Sequence, residues 1–496
     1  MLIGYRAHKY DEKLIEKYKV RTVEEATRFD QVARLIESNY LFDTDIPGMT
    51  DEVFRSMASG LDPFSVYIPP SNYVETLENL NANYIGLGIT THFYHDTLVI
   101  IDVLEGSPAH RSGLKILDRI ITFNNNLIRK DNSGELMNEI RISKGKEIEL
   151  DVLDKNNKLR EIKIKIDNIE AETIDQAVML NDTTLYVSIS QFSNHTYREL
   201  LEHIEKNAKN DKLGKVIIDV RNNPGGYLKE VLKILDQFFS TADLKFVETV
   251  YKDGRRDINK STGRNFYSID NIAVLINEES ASGSEVLAGV IQDLDRGVII
   301  GKNSFGKGLV QDQFTLYNGG ALRLTIAEYF LPTGRNIQKK LELKKSDREI
   351  KHFIDRDTFY SMNLRRPLLG GSGIEPDIVV YDSLYDAVNG IFVLKKDSIT
   401  DILINMVYTK PELKHKIENL EKFNEFLKTD TFYSSFISRI NDDSKDLFIE
   451  MLRAKAIGIL GFKNEEQRLW SLIDPYIETA LNTDNKSLKK VPVKSE

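Results

Sequence analysis

The sequence predicts an α/β core, with a β-rich module before it and a helical region after it. Three observations carry this. From about 169 to 335, apolar runs of strand length alternate with amphipathic stretches. They are Val216-Ile217-Ile218-Asp219-Val220, Leu228 to Phe239, Ile272-Ala273-Val274-Leu275-Ile276, Ser282 to Asp293, and Gly297-Val298-Ile299-Ile300. Such alternation implies a sheet with crossover helices and ligands at the strand C-terminal ends. From Tyr84 to about Ile166 the runs are short and separated by glycine turns. After Asp377, Ile402, Leu413, Phe426, Leu452, Trp470 and other apolar residues mark helices as far as about Leu481.

The elements follow in order. Residues 1–82 form an N-terminal helical region, where Val23, Ala26, Val32, Leu35 and Ile36 make an apolar stripe at helical spacing. A second helix is expected over Asp51 to Ser59, with Gly60 as its stop. Leu61-Asp62-Pro63-Phe64-Ser65 reads as a turn, and Pro69-Pro70-Ser71 opens a third helix that ends near Asn81. Residues 83–168 are the β-rich module, with one helix over Ser133 to Ile142. Residues 169–380 are the α/β core. Within it, 336–372 is rich in lysine and reads as a surface insertion closed by Gly370-Gly371-Ser372-Gly373. Residues 381–496 are the C-terminal helical domain, with a polar, frayed end from Asn485.

Bulk properties narrow the function. A chain of 496 residues is too long for one ordinary domain. Its net charge of −9 argues against a nucleic-acid binder, which carries a basic face. The absence of cysteine excludes disulfides, thiolate metal sites and a cysteine nucleophile. The histidines show no His-Glu-x-x-His spacing, which argues against a zinc protease. Met1 to Arg6 holds no apolar run fit for a signal peptide or a spanning helix. Either the protein is cytosolic or the chain begins after a removed segment.

Chemistry concentrates in three stretches. Ser280-Ala281-Ser282-Gly283-Ser284-Glu285 follows a buried strand and opens a helix. A nucleophilic Ser282 there lies at the strand's C-terminal end, where Gly283 and the helix dipole favour an oxyanion. The same three serines also suit plain helix caps. Arg221-Asn222-Asn223-Pro224-Gly225-Gly226 follows another buried strand, and its glycines free amides for a second oxyanion donor. Read alone it is equally a Pro-Gly turn. Lys307, between Gly306 and Gly308, serves as a base only if burial or a positive neighbour lowers its pKa, and is otherwise a solvated loop lysine. Gln311 lies four residues on and can orient the amine without adding charge. His195 is the rival base, but no Gly-x-Ser-x-Gly elbow accompanies it. Tyr84-Ile85-Gly86-Leu87-Gly88-Ile89 is a glycine loop before a strand, able to hold a carboxylate and add an extended peptide.

Taken together, these stretches resemble the C-terminal processing peptidases, also called tail-specific proteases. Gly86-Leu87-Gly88-Ile89, Gly106-Ser107-Pro108-Ala109 and Gly113-Leu114 look like that family's PDZ domain. Arg221 to Gly226, Asn277 to Glu285, and Ser304 to Gln311 look like its oxyanion turn, nucleophile and base segments. Ala321 to Ala327 and Gly373 to Asp377 extend the likeness, which covers roughly 25 to 380. The resemblance implies a serine endopeptidase on a ClpP/crotonase-like α/β core, with an inserted PDZ domain over 83–168. It implies Ser282 as nucleophile, Lys307 as base and Gln311 as its positioner. The oxyanion amides fall at Gly225 or Gly226 and at Gly283, with Asp293 in a supporting role. Gly86, Leu87, Gly88, Ile89 and Arg141 are implied for peptide binding and its coupling to activation.

No metal or cofactor is implied. The implied partners are proteins or peptides with free C-termini. Helical tails in relatives can build homodimers, and a segment preceding this chain can anchor such enzymes to a membrane. The implied location is periplasmic or otherwise extracytoplasmic. Glu279 replaces a usual glycine and is expected to add charge near Ser282, and Ile116-Leu117 replaces a usual Pro-Gly turn. The competing classes are a catalytically silent PDZ-containing peptide-binding scaffold and an acyl-CoA-type lyase. The intact serine, lysine and glutamine favour the protease.

Overall fold

The computed structural model describes residues 12–209, 212–339, 357–429, 437 and 440–488. Its centre is a six-stranded sheet in the order Ile174–Met179, Thr184–Ile189, Lys212–Asp219, Ser268–Ile276, Val298–Gly301, Ile378–Val379. The first pair is antiparallel and the rest are parallel. The strands are apolar on both faces because both faces are covered. Val216, Ile218, Ile272, Val274 and Ile276 meet the helices Thr196–Asn207, Leu228–Asp236 and Gly283–Asp293. Their neighbours Ile217, Ala273 and Leu275 point the other way, into a cluster shared with the C-terminal helices.

That second cluster shows what the C-terminal helical region does for the core. Ser383–Leu394, Lys396–Thr409, Asp442–Ile459 and Pro475–Asn482 bury Val388, Leu403, Leu452 and Ile477 in the same cluster as the sheet residues. The region shares one apolar core with the sheet. Lys215 fixes its end: buried on the strand Lys212–Asp219, its Nζ donates to the carbonyls of Ala480, Leu481 and Thr483 at 2.8, 2.8 and 2.5 Å. These carbonyls close a helix C-terminus, where a cation is favoured.

A second, antiparallel sheet joins Val66–Ile68, Ala321–Phe330, Ala242–Tyr251 and Arg256–Thr262, with Leu309–Thr315 also paired to Ala321–Phe330. Val66–Ile68 corrects the sequence reading, which ran from a turn at 61–65 directly to the next helix. Three residues are too few to show a strand period. The helix expected from Asp51 begins earlier, at Ile46, and ends at Ser59 as expected. Asp45 caps it by accepting the Gly48 N–H.

Residues 89–165 form a separate sheet, Ile89–Tyr94, Thr97–Val103, Arg119–Phe123, Glu147–Leu153 and Leu159–Lys165, with its own apolar cluster and the helix Ser133–Ile142. Asn83–Gly86 pairs antiparallel with Asp167–Glu170, so the chain enters and leaves this module through one two-stranded neck. At Ile116-Leu117 the turn forms with Leu117 at φ 71°. The Leu117 carbonyl accepts the Tyr408 hydroxyl of a C-terminal helix at 2.8 Å.

The surface insertion expected over 336–372 is a correction where it is described. Asn336, Ile337 and Gln338 are buried, and Thr358–Tyr360 pairs with Pro367–Leu369. Residues 340–356 of that stretch lie outside the described residues, as does the end from 489. Lys215→Met is expected to cost about 2–3 kcal/mol, since it strands three carbonyls at a buried helix end. Urea unfolding measures the loss, and hydrogen exchange should show Pro475–Asn482 opening first.

Candidate active site

Ser282 stands at the turn between the strand Ser268–Ile276 and the helix Gly283–Asp293. Its φ of 57° and ψ of −108° lie where L-residues rarely sit. Three contacts hold the turn there. The Ser280 hydroxyl donates to the Val220 carbonyl at 2.7 Å, Ala281 N–H to the Asn223 carbonyl at 3.0 Å, and the Ser284 hydroxyl to the same carbonyl at 2.9 Å. Ser280 and Ser284 thus tie the turn to the loop 221–226. Ser282 itself is buried, and its Oγ has no hydrogen-bond partner among the described residues.

Loop 221–226 is fixed from beneath. Arg221 donates to Asp219 and to Asp474, the latter at 2.7 Å, and its guanidinium lies over Tyr476 at 4.9 Å. Asn222 and Asn277 exchange two hydrogen bonds, 2.9 and 2.8 Å. The two glycines then differ. Gly225 N–H is taken by Asn223 Oδ1 at 2.8 Å. No hydrogen bond among the described residues uses Gly226 N–H or Gly283 N–H. A Cβ on Gly283 would lie 3.4 Å from Gly226 N, so these two amides are neighbours. Gly226 has φ 148°, and a Cβ there would lie 2.1 Å from the Phe192 carbonyl oxygen. No other residue fits.

The lysine side of the site borders the antiparallel sheet. Lys307 is 6% exposed, and its Nζ donates to Gln311 Oε1 at 2.7 Å. Burial, and then the positive charge of Arg323, bring its pKa down to about 8, while Asp62 and Glu285 act in the opposite sense. Arg323 is itself buried on the strand Ala321–Phe330. Lys307 makes no hydrogen bond to Ser282 Oγ in this conformation.

Two residues not singled out from the sequence join the halves. The buried Glu285 carboxylate accepts the N–H of Ser282 at 2.8 Å, of Gly306 at 2.6 Å and of Lys307 at 2.8 Å, and the Ser304 hydroxyl at 2.5 Å. Burial pushes its pKa up, and these four donors oppose the rise. Tyr329 donates its hydroxyl to the Lys307 carbonyl at 2.7 Å and lies 3.4 Å from the Ser282 carbonyl. The signal for Glu285 was present, because Ser282-x-x-Glu285 is the spacing of a helix-start capping box.

The structure thus brings together Ser282, Gly226, Gly283, Lys307 and Gln311. It does not bring Asp293 to them. That carboxylate lies at the far end of the helix, about 16 Å along its axis. There it pairs with buried Arg335 at 2.8 Å and accepts from Thr333 N–H and Oγ1. Glu279 is exposed rather than buried beside Ser282. His195 packs against Ser193, the Ala171 carbonyl and Glu170, with no contact to Ser282. In the module, Leu87 is buried, and the carbonyls of Leu87 and Gly88 accept the N–H of Ala109 and Leu104. Gly86 ends the neck strand, and Ile89 opens the edge strand Ile89–Tyr94. Arg141 lies 3.5 Å from Glu75 on the helix Pro70–Asn81, away from Ser282.

Comparison with known proteins follows this geometry. Residues 183–347, which hold the loop 221–226, Ser282, Lys307 and Gln311, match the model of peptidase family S41. The chain is 28% identical over 319 residues to the carboxy-terminal processing protease CtpB of Bacillus subtilis, covering 63% of this chain and 65% of that protein. It is 27% identical over 318 residues to CtpA of the same organism, covering 63% and 67%. The match to CtpB therefore spans less than two thirds of that relative's length. Among solved structures, a photosystem II D1 C-terminal processing protease superposes with a TM-score of 0.38 and 20% identity, over 72% of this chain and 87% of that one. The family match covers about a third of the chain, the part that carries Ser282 and Lys307, and there the chain is similar to peptidase family S41. Its sequence relatives are carboxy-terminal processing proteases.

The positive φ at Ser282 gives a test of strain. Ser282→Gly should melt a few degrees above Ser282→Ala, because only glycine relieves a conformation that costs about 1–3 kcal/mol. Differential scanning calorimetry of the two variants measures the gap.

Proposed function

We propose that this chain is a serine endopeptidase in which neutral Lys307 is the general base for Ser282. The carrying observation is a buried lysine, its pKa down to about 8, tied through Glu285 to a serine whose hydroxyl is free. In this reading the Lys307 amine leaves Gln311, takes the Ser282 proton, and Oγ attacks a peptide carbonyl. Gly226 N–H and Gly283 N–H hold the oxyanion. The lysine then protonates the leaving amine, and water resolves the acyl-enzyme by the same route. Gln311 positions the amine between turns.

The 83–168 module acts in this proposal as a PDZ domain that captures the free C-terminus of a substrate. Support comes from the glycine loop 86–89 and from the edge strand Ile89–Tyr94, whose neighbour in the sheet is Thr97–Val103. An edge strand can add an extended peptide by main-chain hydrogen bonds. Fully buried Ser282, unbonded to Lys307, fits a resting state that peptide capture opens. Arg141, paired with Glu75, is the proposed link between capture and the N-terminal helices. The extracytoplasmic location and a homodimer through the C-terminal helices belong to the same proposal. Among the described residues, no helix is long and apolar enough to cross a membrane.

Wild type should degrade casein, and Ser282→Ala and Lys307→Ala should not, although both should keep the fold. Addition of peptides with apolar C-termini should raise the wild-type rate. Cleavage by either variant at the wild-type rate would remove that residue from the centre. Silence of wild type with every peptide would favour the non-catalytic scaffold.

The pH dependence has a definite sign. Only neutral Lys307 is a base, so kcat/KM should rise with pH and level off above about 8. Stability carries the complementary sign. A folded pKa of about 8 against 10.5 means the unfolded chain binds more protons between those values. The destabilisation from Lys307 is therefore complete below about 8 and gone above 10.5. Lys307→Met should be more stable than wild type at neutral pH by up to about 3 kcal/mol. Urea unfolding should show that difference shrinking as pH rises through the window.

A further inference from the structure

Leu61-Asp62-Pro63-Phe64-Ser65 belongs to the N-terminal region, and Phe64 stands 247 positions before Gln311. It nevertheless closes the basic half of the site. The Asp62 carboxylate accepts the N–H groups of Phe64 and Ser65 at 2.8 Å each and the Ser65 hydroxyl at 2.7 Å. Ser65 Oγ accepts the Thr325 N–H at 3.2 Å, and Val66–Ile68 continues as a strand beside Ala321–Phe330. The turn is thus mounted on the strand that carries Arg323. From it the Phe64 ring reaches over Lys307, its centroid 4.5 Å from Nζ. The Phe64 carbonyl accepts Gln311 Nε2, which leaves Gln311 Oε1 facing the lysine. Phe305 packs edge-on against the same ring, centroids 6.3 Å apart.

We propose that Phe64 is the positioning residue of the general base: its ring holds the Lys307 ammonium, its carbonyl aims Gln311, and loss of the proton releases the amine toward Ser282. This rests on the Ser282–Lys307 reading above. The chemistry is directional. An aromatic face attracts a cation through its quadrupole and has no comparable hold on a neutral amine. Arg323, on Ala321–Phe330, disfavours the charged lysine. Asp62, on the turn, and Glu285, on the nucleophile helix, favour it. The ring adds to the favouring side and sits where the amine rests rather than where it reacts. Ser282 Oγ without a partner, and Lys307 Nζ on Gln311, are the arrangement expected of the protonated base.

The test reads Lys307 without turnover. In a Ser282→Ala background with isotope-labelled lysine, NMR follows the Lys307 ε-methylene across pH, assigned by its loss in Lys307→Arg. Phe64→Leu keeps most of the apolar volume and removes the ring, and Phe64→Tyr keeps the ring. The Lys307 midpoint should fall by about 0.5–1 pH unit in the leucine variant and stay in place in the tyrosine variant. With Ser282 present, the rising limb of kcat/KM should move by the same amount. An unmoved midpoint would make the ring a space-filler, and a raised one would make it only a shield from water. Either result overturns the proposal. If Phe64→Leu proves unfolded by circular dichroism, Phe64→Met gives the same comparison. A rate limb that ignores the Lys307 midpoint in every variant would sink the base assignment instead, while the NMR titration still decides the role of Phe64.

Discussion

The buried Glu285 carboxylate is the constraint on which the site depends. An ionised group out of water is tolerable only when its lone pairs are met by donors. Here the donors come from Ser282, the last residue of the turn before the helix Gly283–Asp293, and from three residues of the 304–307 loop. Both loops must hold their shape at once, or the charge is left exposed to an apolar interior. One side chain thus fixes the orientation of the serine turn and the course of the lysine loop, although it reaches neither reacting atom.

That link matters because Ser282 and Lys307 stand on different sheets. Ser282 follows a strand of the parallel sheet, whereas Lys307 leads into Leu309–Thr315 of the antiparallel one. A close-packed interior transmits strain, so a shift of one sheet against the other would reach both groups. Glu285 and Tyr329 set how far such a shift goes at backbone level. In the proposed mechanism the lysine amine, free of both, moves between Gln311 and Ser282. The arrangement combines a rigid frame with one amine held only by its side chain.

How much of this was legible in the sequence depended on distance along the chain. The turn at Ser282, the loop 221–226, and the Lys307–Gln311 pair are short contiguous patterns, and the structure gathers them. Glu285 carried a readable spacing, but its three bonds to 304–307 were not local. Arg323 and Tyr329 alternate along a strand like any others there, and nothing marks them as neighbours of a lysine. Phe64 gave no signal, because a turn residue acquires its role only when a distant strand accepts it. The lysine-rich stretch misled for a related reason. Its composition is an average, while Asn336 and Ile337 at its start are buried, Ile337 in the cluster that holds the helix Gly283–Asp293. The apolar runs at 216–220 and 272–276 predicted strands buried on both faces. They could not say that helices from the end of the chain would cover one of those faces.

The clamp at Lys215 gives the molecule an order in time. During synthesis the sheet strands leave the ribosome long before the helices that cover their second face. Until residues 480–483 emerge, Lys215 has no carbonyls to meet, and Ile217, Ala273 and Leu275 face water. A chain that has already made its serine and its lysine therefore still lacks a finished core. Completion of this core waits for residues 480–483, and a chain cut short of them leaves one face of the sheet without its cover.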